Sequence, residues 1–343
     1  MSAFKIVVAG CGSMSKAWID YARKREDAEI VGLVDLRLEQ AQAAAQRHGL
    51  SCGVYTDIKE AITSEGANLV FDVTIPESHA AVTAAALELG CDVLGEKPMS
   101  TSMEEARRLV ALAGKQGRTY AVMQNRRYLP QIRAFRELLA AATIGRIGFV
   151  NADFFLGPHF GGFRDAMDSP LLLDMAIHTF DQARLITGTD PVSVYCHEFN
   201  PPGSWYAGNA AAVCIFEYED GSVFCYRGSW CSEGRPTSWE ADWRISGSLG
   251  TAVWDGASAP YAEVVVPDAE SGRGFTSRFR RVDAEVNEAG HAGHAGCLEA
   301  MFSALLEGRK PETDCTDNIK SMAMVYGALE SARTGQKVML QLY

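Results

Sequence analysis

Three ionisable residues, Asp174, His178 and Asp181, follow one another at intervals of four and three in an otherwise largely apolar segment. In a helix these intervals place the three side chains on one stripe. A carboxylate beside a histidine holds the imidazole tautomer and stabilises the imidazolium that forms when the ring accepts a proton. The pattern therefore fits either a general acid–base pair that faces a cleft or a surface pair that only stabilises the helix.

A glycine-rich turn follows the first apolar run of the chain and reads Gly10-Cys11-Gly12-Ser13-Met14-Ser15. Gly10 suits a tight turn, and Gly12 suits a close approach of the backbone to a pyrophosphate. The helix that follows directs N–H groups and the positive end of its dipole to the same place. The context of strand, turn and helix predicts a dinucleotide site that includes Gly10, Gly12, Ser13 and Met14.

An acidic residue, Asp35, ends the second apolar run. A carboxylate at this position accepts hydrogen bonds from the adenosine ribose hydroxyls and repels a 2′-phosphate, which favours NAD over NADP. Arg37, two residues later, could meet such a phosphate or could be a solvated residue at the start of a helix. The sequence therefore predicts NAD as the cofactor and leaves NADP as the alternative.

A lysine, Lys97, stands in the run Gly95-Glu96-Lys97-Pro98, directly after another apolar run. Ligands of open α/β sheets bind at the carboxyl ends of the strands. A lysine held there beside a nicotinamide could donate to a substrate hydroxyl or exchange a proton with it. An ordinary surface lysine in a turn is the alternative interpretation.

The elements that must position these residues are visible as alternating patterns over residues 1–125. The predicted strands are residues 4–9, 29–34, 69–74, 91–95 and 119–123. The predicted helices run from the glycine turn to residue 21 and over residues 38–48, 78–89 and 102–117, the last with capping-box spacing at Ser102 and Glu105. Strands that alternate with helices predict an α/β domain, here a doubly wound parallel sheet of the Rossmann type.

The remaining residues, 126–343, show a different pattern and form the second predicted domain. The predicted strands are residues 192–199, 211–218, 222–230, 239–246, 251–254 and 262–266, with a hairpin turn at Asp220-Gly221. Ser169, Pro170 and Gly188 suit the two ends of one helix over the Asp174–Asp181 stripe, and a closing helix runs from Thr316 to Arg333. This half is predicted to be an α+β domain with an open, mostly antiparallel sheet, whose final helix packs back on the first domain.

Composition excludes several classes of protein. The chain has 343 residues, 47% of them hydrophobic, and a net charge of −11, which argues against a nucleic-acid partner. No apolar run reaches the length of a membrane span, and no signal-peptide pattern opens the chain. Nine scattered cysteines without a CxxC pair predict reduced thiols in the cytoplasm. His291 and His294 form an HxxH pair without a third ligand at recognisable spacing, so no metal site is predicted.

The combination of these motifs resembles the glucose–fructose oxidoreductase/inositol dehydrogenase (Gfo/Idh/MocA) family. The resemblance spans nearly the whole chain. It is carried by the Gly-rich turn, Glu96-Lys97-Pro98, Asp174…His178…Asp181, Pro76…His79, Asn125-Arg126-Arg127-Tyr128 and the closing run Glu330 to Gly335. It implies a Rossmann domain, an open-faced sheet that often mediates homodimers or homotetramers, and NAD(P)-dependent oxidation of a sugar or cyclitol hydroxyl.

The resemblance also implies roles for single residues. Lys97 resembles the active-site lysine, His178 the group that exchanges the hydroxyl proton, and Asp174 the neighbouring carboxylate that holds substrate. It further implies a cis Lys97–Pro98 peptide. Positions near the cofactor are assigned to Thr74, Pro76, His79, Glu96, Lys97 and Asn125.

The substrate side is predicted to include Arg127, Tyr128 and Asp181 together with the loop at residues 157–164. In that loop His159 and Arg164 could bind sugar hydroxyls or a carboxylate, or could serve the loop structure. Ser169-Pro170 and Ala176 stand where the family often has glycines, which puts the identity of the substrate in doubt. Tryptophans of the β half, among them Trp230, Trp239 and Trp243, pack in sheets by default, and stacking of one or two on a sugar is the alternative.

Three functions remain open on the sequence. The first is a dehydrogenase, and the second is a redox-neutral NAD-dependent glycosidase or lyase that oxidises its sugar only transiently. The third is a non-catalytic dinucleotide-binding regulator, against which the joint presence of Lys97, Asp174 and His178 counts. Net NADH formation distinguishes the first from the second.

Overall fold

The computed structural model describes residues 3–267 and 277–341. It divides into two compact units. Among the described residues, unit 1 contains the chain up to Asn125 and returns for His291–Met322, whereas unit 2 contains the chain from Arg126 to Gly290 and again from Ala323. Within the described residues, the second predicted domain, residues 126–343, thus differs from unit 2 in the 32 residues from His291 to Met322, which belong to unit 1.

Unit 1 is built on a six-stranded parallel sheet in the order β3-β2-β1-β4-β5-β6. Its strands are β1 (Phe4–Ala9), β2 (Ala28–Val34), β3 (Gly53–Tyr55), β4 (Leu69–Asp72), β5 (Asp92–Gly95) and β6 (Tyr120–Val122). Its helices include α1 (Ser15–Ala22), α2 (Leu38–His48), α3 (Ile58–Glu65), α4 (Pro76–Glu88) and α5 (Met103–Gln116). The predicted doubly wound sheet is confirmed. Strand β3 was not predicted, because three residues carry too little periodicity, and helix α3 was not predicted either.

Local signals set the helix ends of unit 1. The Ser102 hydroxyl accepts the N–H of Glu105 at 3.2 Å, as its capping-box spacing predicts. Helix α5 ends at Gly117 in the left-handed conformation, with φ of 61°. A glycine adopts this conformation without the steric penalty of a Cβ atom.

A late helix, α8 (Gly293–Leu306), completes the core of unit 1. Its Phe302 is fully buried and meets Phe4 and Phe71 at ring-centroid distances of 5.1 and 6.0 Å. Trp18 of α1 lies edge-on to Phe71 at 4.9 Å. This aromatic packing explains why the segment from His291 belongs to unit 1, although it is far away in sequence.

Unit 2 is built on a nine-stranded mixed sheet in the order β14-β13-β12-β11-β7-β10-β9-β8-β15. Its strands are β7 (Ile147–Phe155), β8 (Ser193–Phe199), β9 (Ala211–Glu217), β10 (Val223–Ser229), β11 (Asp242–Gly247), β12 (Gly250–Trp254), β13 (Tyr261–Val265), β14 (Phe279–Asp283) and β15 (Val338–Met339). Among the strand pairs of the described residues, only β7 and β10 pair in parallel, so the sheet is mostly antiparallel, as predicted. The hairpin at Asp220-Gly221 joins β9 to β10, with φ of 82° at Gly221.

Helices of unit 2 include α6 (Pro130–Ala140) and α7 (Ile177–Thr187), and α9 (Cys315–Thr334) continues into it from unit 1. Phe180 of α7 packs on Phe216 and Tyr226 of the sheet at 4.8 and 5.2 Å between ring centroids. This contact covers one face of the sheet with α7. Among the helices of the described residues, none combines the length and apolarity needed to cross a bilayer.

The predicted single α-helix over residues 170–187 is wrong in its first third. Leu171–Ala176 is π-helical, and the α-helix begins only at Ile177. Ser169 does not cap this segment with its side chain, since its hydroxyl donates to Glu198 Oε2 at 3.0 Å. A π-helix bonds residue i to i+5, so a four-residue interval alone does not stack Asp174 over His178. The predicted end at Gly188 is confirmed, with φ of 70°.

Candidate active site

The predicted cofactor residues of unit 1 follow the carboxyl ends of its strands. Gly10 follows β1, Asp35 follows β2, Thr74 lies just after β4, Glu96 and Lys97 follow β5, and Asn125 lies just after β6. Since the strands are parallel, these ends form one edge of the sheet. This is the edge at which doubly wound sheets bind ligands.

The glycine turn is shaped by close backbone contact on one side and open space on the other. Gly10 has φ of 90°, and a Cβ atom there would collide with the carbonyl oxygen of Val73. A Cβ atom on Gly12 would meet nothing within 4 Å, and Gly12, Ser13 and Met14 are exposed. The turn therefore presents accessible backbone directly before α1, where an anion is favoured.

The Asp35 carboxylate is held beside this turn by two backbone groups. Its Oδ2 accepts the N–H of Cys11 at 3.0 Å, and its Oδ1 accepts the N–H of Arg37 at 3.0 Å. Asp35 is partly exposed and Arg37 is exposed. An open glycine backbone at a helix start, with a fixed carboxylate at the next strand, fits a dinucleotide: pyrophosphate at the turn and ribose at Asp35.

His79 bridges two loops of this edge. Its ring is almost fully buried, with Nδ1 2.6 Å from the carbonyl oxygen of Pro98 and Nε2 3.1 Å from that of Thr74. Pro76 occupies the first turn of α4, where its missing N–H is harmless. The His79 ring thus connects the backbone at Thr74 to that at Pro98, and Pro76 begins helix α4 beside the same loop.

A buried carboxylate, Asp72, supports the loop that carries Thr74 and was not predicted from the sequence. Its Oδ1 accepts the hydroxyl of Thr74 at 2.6 Å, and its Oδ2 accepts the hydroxyl of Thr83 at 2.9 Å. Asp72 is 1% exposed, and buried charges need such partners. The sequence feature that could have identified Asp72 is its position as a single acidic residue within the apolar run at residues 69–74.

Glu96 anchors the loop that carries Lys97. Its Oε1 accepts the indole N–H of Trp18 at 2.8 Å, and its Oε2 accepts the backbone N–H of Lys97 at 3.3 Å. The Lys97–Pro98 peptide is cis, as the resemblance implied.

His294 joins this group and was not predicted to be part of it. Its Nδ1 lies 3.4 Å from Asn125 Nδ2, and its Nε2 lies 4.0 Å from Glu96 Oε1. The other half of the HxxH pair, His291, lies edge-on to the ring of Tyr21. Across residues 3–267 and 277–341, no three His, Cys, Asp or Glu side chains come together as a metal site requires.

In unit 2, two predicted substrate residues contact each other. Arg164 Nε donates to Asp174 Oδ2 at 2.7 Å, where the Asp174 side chain is 14% exposed and that of Arg164 32%. His178 lies in the first turn of α7 and is 7% exposed. The structure therefore gives Asp174 a cationic partner from the loop that the sequence assigned to substrate.

Arg127 and Asp181 also bind each other. The guanidinium Nε and Nη2 atoms of Arg127 donate to the two carboxylate oxygens of Asp181, each at 2.6 Å, and both side chains are buried. Arg184 Nη1 lies 3.7 Å from the same carboxylate. The neighbouring Tyr128 has the guanidinium of Arg133 4.8 Å from its ring centroid. The Arg127–Asp181 pair joins the short 3₁₀ segment Asn125–Tyr128 to α7.

A second buried pair in unit 2 was not predicted. Arg126 Nε lies 3.6 Å from Glu240 Oε2, and its Nη1 donates to the carbonyl oxygen of Trp239. Gln182 Nε2 donates to the same Glu240 oxygen at 2.8 Å. Burial lowers the pKa of Arg126 and raises that of Glu240, because it disfavours the charged form of each group.

His159 contacts Glu233 and Trp205. Its Nε2 lies 2.8 Å from Glu233 Oε1, and its ring stacks on Trp205 at 3.7 Å between centroids. Both partners lie on other loops of unit 2. These contacts fit the loop-forming alternative that the sequence left open for His159.

The comparisons with known proteins agree with the geometry. A model of the oxidoreductase family with an NAD-binding Rossmann fold matches residues 4–124, and the Gfo/Idh/MocA C-terminal domain matches residues 132–253. The chain is 26% identical over 362 residues to the uncharacterised protein y4oX of Sinorhizobium fredii, covering 98% of this chain and 96% of the relative. It is 27% identical over 347 residues to D-apiose dehydrogenase of Paraburkholderia graminis, covering 98% and 90%.

Solved structures share the fold. The structure of an oxidoreductase from Agrobacterium radiobacter, in complex with NAD+, L-tartaric acid and magnesium, superposes with a TM-score of 0.85. The alignment covers 98% of both chains at 20% identity.

Proposed function

The chain belongs to the Gfo/Idh/MocA oxidoreductase family, and we propose that it transfers a hydride between NAD and a secondary hydroxyl carbon of a sugar, anhydrosugar or cyclitol. The observation that carries the proposal is the single sheet edge of unit 1. There the open glycine turn, the fixed Asp35 carboxylate and the Glu96-anchored Lys97 loop follow the carboxyl ends of β1, β2 and β5 of one parallel sheet.

Oxidation of the hydroxyl separates a hydride from a proton. A dinucleotide held by the glycine turn and Asp35 would supply the hydride acceptor, so that the hydroxyl carbon would become a ketone. His178 accepts the hydroxyl proton in this direction and returns it in the reverse direction, and Lys97 donates a hydrogen bond to the substrate oxygen. Asp174 holds a substrate hydroxyl, and Arg164 fixes the carboxylate through the 2.7 Å contact.

The preference for NAD over NADP rests on Asp35. Two backbone N–H groups hold its carboxylate beside the turn, so its negative charge faces the ribose position. A 2′-phosphate there would be repelled. Arg37 donates its backbone N–H to Asp35, and its side chain is exposed, which supports its assignment to the cofactor surface.

We also infer that copies of the chain assemble through the unit 2 sheet, as homodimers or homotetramers. The face opposite α7 exposes Phe149, Tyr195 and Ile215 by 45%, 43% and 41%. Exposed apolar side chains on a continuous sheet face are typical of an interface. The cytoplasmic location stays a prediction from the cysteine pattern.

The test is absorbance at the NADH band with purified protein, NAD or NADP, and a panel of inositols, aldoses, anhydrosugars and sugar acids. We expect NADH to form with one of these classes and faster from NAD than NADPH forms from NADP. A flat trace across the panel, with the dinucleotide still bound, contradicts the dehydrogenase. Bond cleavage at constant NADH would instead identify the redox-neutral glycosidase or lyase.

A further inference from the structure

Three exposed aromatic residues of unit 2 form a connected cluster with Arg164, the ion-pair partner of Asp174. Phe160, Phe163 and Trp239 are 56%, 66% and 45% exposed, and we call them the aromatic wall. Exposing large aromatic rings to water is unfavourable, so a cluster of them indicates a surface that binds something. Its occupant can be inferred from what the wall touches.

Arg164 connects the aromatic wall to the carboxylate that is proposed to hold substrate. Its guanidinium carbon lies 4.7 Å from the ring centroid of Phe163 and 5.4 Å from that of Phe160. The same guanidinium donates to Asp174 at 2.7 Å. The wall is therefore separated from Asp174 by one side chain, and a ligand held at Asp174 can extend over it.

Two rings of the aromatic wall pack on a buried tryptophan. Trp230 is fully buried, and its ring lies 6.1 Å from Phe160 and 5.5 Å from Trp239, between centroids. Phe160 and Trp239 themselves are 6.3 Å apart. Packing on Trp230 places the two rings side by side.

The loop that carries Phe160 and Phe163 is tied to the loop at residues 200–209. The hydroxyl of Tyr206 donates to the carbonyl oxygen of Pro158 at 3.3 Å, and the N–H of Ala207 donates to that of Asp165 at 2.8 Å. A Cβ atom on Gly208 would collide with the carbonyl oxygen of Asp168. The backbone that carries Phe160 and Phe163 is therefore fixed before any ligand arrives, which lowers the entropic cost of binding.

We propose that the aromatic wall is a second subsite, which takes the group joined to the oxidised sugar, so that the preferred substrates are glycosides and not free monosaccharides. The inference rests on the proposed function. The reacting ring needs polar contacts such as that of Asp174, whereas flat exposed rings match the C–H face of a second sugar or an apolar aglycone. A second sugar and an apolar aglycone both present an apolar face to the rings, and the disaccharide and aryl glycoside compared below distinguish them.

The experiment compares kcat/KM for a free sugar, its methyl glycoside, its aryl glycoside and a disaccharide of the same sugar. We expect the wild-type protein to prefer the aryl glycoside or the disaccharide over the free sugar by about tenfold or more. Trp239→Ala and Phe160→Ala should reduce this preference by about tenfold, mainly through KM, and Trp239→Phe should restore part of it. Phe279→Ala, at a 57% exposed phenylalanine of the edge strand β14, is the matched control and should keep the preference.

Glycoside binding is measured independently by quenching of tryptophan fluorescence in the wild-type protein, Phe160→Ala and Phe279→Ala. If no panel compound reduces the cofactor but glycoside binding is lost only in Phe160→Ala, the proposed function fails and the subsite stands. If free sugars turn over and every variant loses activity equally toward free and linked sugars, the function stands and the subsite is wrong. Equal wild-type kcat/KM for all four substrates overturns the subsite as well.

Discussion

Charged side chains near a proposed active site either bind substrate or hold a neighbour, and their contacts separate the two roles. Arg127 and Asp181 form a bidentate ion pair, in which two guanidinium nitrogens donate to the two carboxylate oxygens, each at 2.6 Å. By contrast, Arg164 donates through Nε to one carboxylate oxygen of Asp174, at a part-buried position. At the residue scale these contacts fit a structural role for Arg127 and Asp181, and the proposed chemistry is assigned to Lys97, Asp174 and His178.

Removing the proton-transfer group should slow turnover and spare the cofactor site. We expect His178→Ala, and separately Lys97→Ala, to lower kcat by about two to four orders of magnitude. Dinucleotide affinity, measured by NADH fluorescence titration, should stay nearly the same. An unchanged kcat in both variants is incompatible with the proposed mechanism.

Asp35 should determine the choice between the two dinucleotides. Asp35→Ala removes the ribose acceptor and the negative charge, so we expect the Kd for NAD to rise by about tenfold or more and that for NADP to rise less. The carboxylate also accepts the N–H of Cys11, so Asp35→Asn, which keeps one acceptor oxygen, is the control for the turn. Equal losses for both dinucleotides in Asp35→Ala would refute the selectivity argument.

Glu198 should make stability depend on pH. Burial raises its pKa to about 7, and the hydrogen bond from the Ser169 hydroxyl offsets only part of this. Below the pKa of an unfolded glutamate, about 4.3, the Glu198 carboxyl is protonated in both the folded and the unfolded protein. As the pH rises from there through the folded-state pKa, the unfolded state loses its proton first, and stability is lost. We expect Glu198→Gln to be more stable than wild type at pH 8, by about 1–2 kcal/mol after allowance for partial exposure, and nearly equal at pH 4.

Urea unfolding at the two pH values measures this difference. Glu219→Gln, at an exposed glutamate of the β9–β10 turn, serves as the control. A constant difference between Glu198→Gln and wild type across the pH range argues against a buried carboxylate at this position.

At the scale of elements, one buried ion pair joins the 3₁₀ segment Asn125–Tyr128 to α7. Removing one member leaves the other charge buried without its main partner, so Arg127→Ala should cost about 3–5 kcal/mol of unfolding free energy. The double variant Arg127→Met/Asp181→Leu removes both charges and should recover part of that loss. Urea denaturation measures both, and a raised KM with unaltered stability in Arg127→Ala would instead indicate substrate binding.

The elements also show where sequence patterns were sufficient. Strands such as β4 and β10, the hairpin at Asp220-Gly221 and the helix end at Gly117 follow from hydrophobic runs and turn residues, which act locally. The π-helical segment Leu171–Ala176 leaves no such signature, because its residues suit an α-helix equally well. The arrangement of Asp174 relative to His178 could therefore not be predicted from their spacing.

At the scale of the whole molecule, the exposed face of the unit 2 sheet should mediate assembly. Tyr195 pairs directly with Ile215 across β8 and β9, and Phe149 lies on the same face of β7. We expect the wild-type protein to be a dimer or tetramer in light scattering after size exclusion. Ile215→Lys should lower the molar mass, because a buried unpaired charge opposes association.

A lysine at another exposed apolar position is the control for this experiment. Leu306→Lys, on α8 of unit 1 and 55% exposed in the wild-type protein, should leave the molar mass unchanged. A monomeric wild type, or an Ile215→Lys variant with the wild-type mass, shows that this face does not mediate assembly.

The sequence by itself determined the cofactor half of this protein. The glycine turn, Asp35 and Lys97 depend on short-range rules, since each follows a strand and the strands alternate with helices. Tertiary structure alone decided which polar groups pair: Arg127 with Asp181, 54 residues apart, and Asn125 with His294, 169 residues apart. No spacing rule links residues so distant, because their proximity comes from packing such as that of Phe302 on Phe4 and Phe71 in unit 1 and of Phe180 on Phe216 in unit 2.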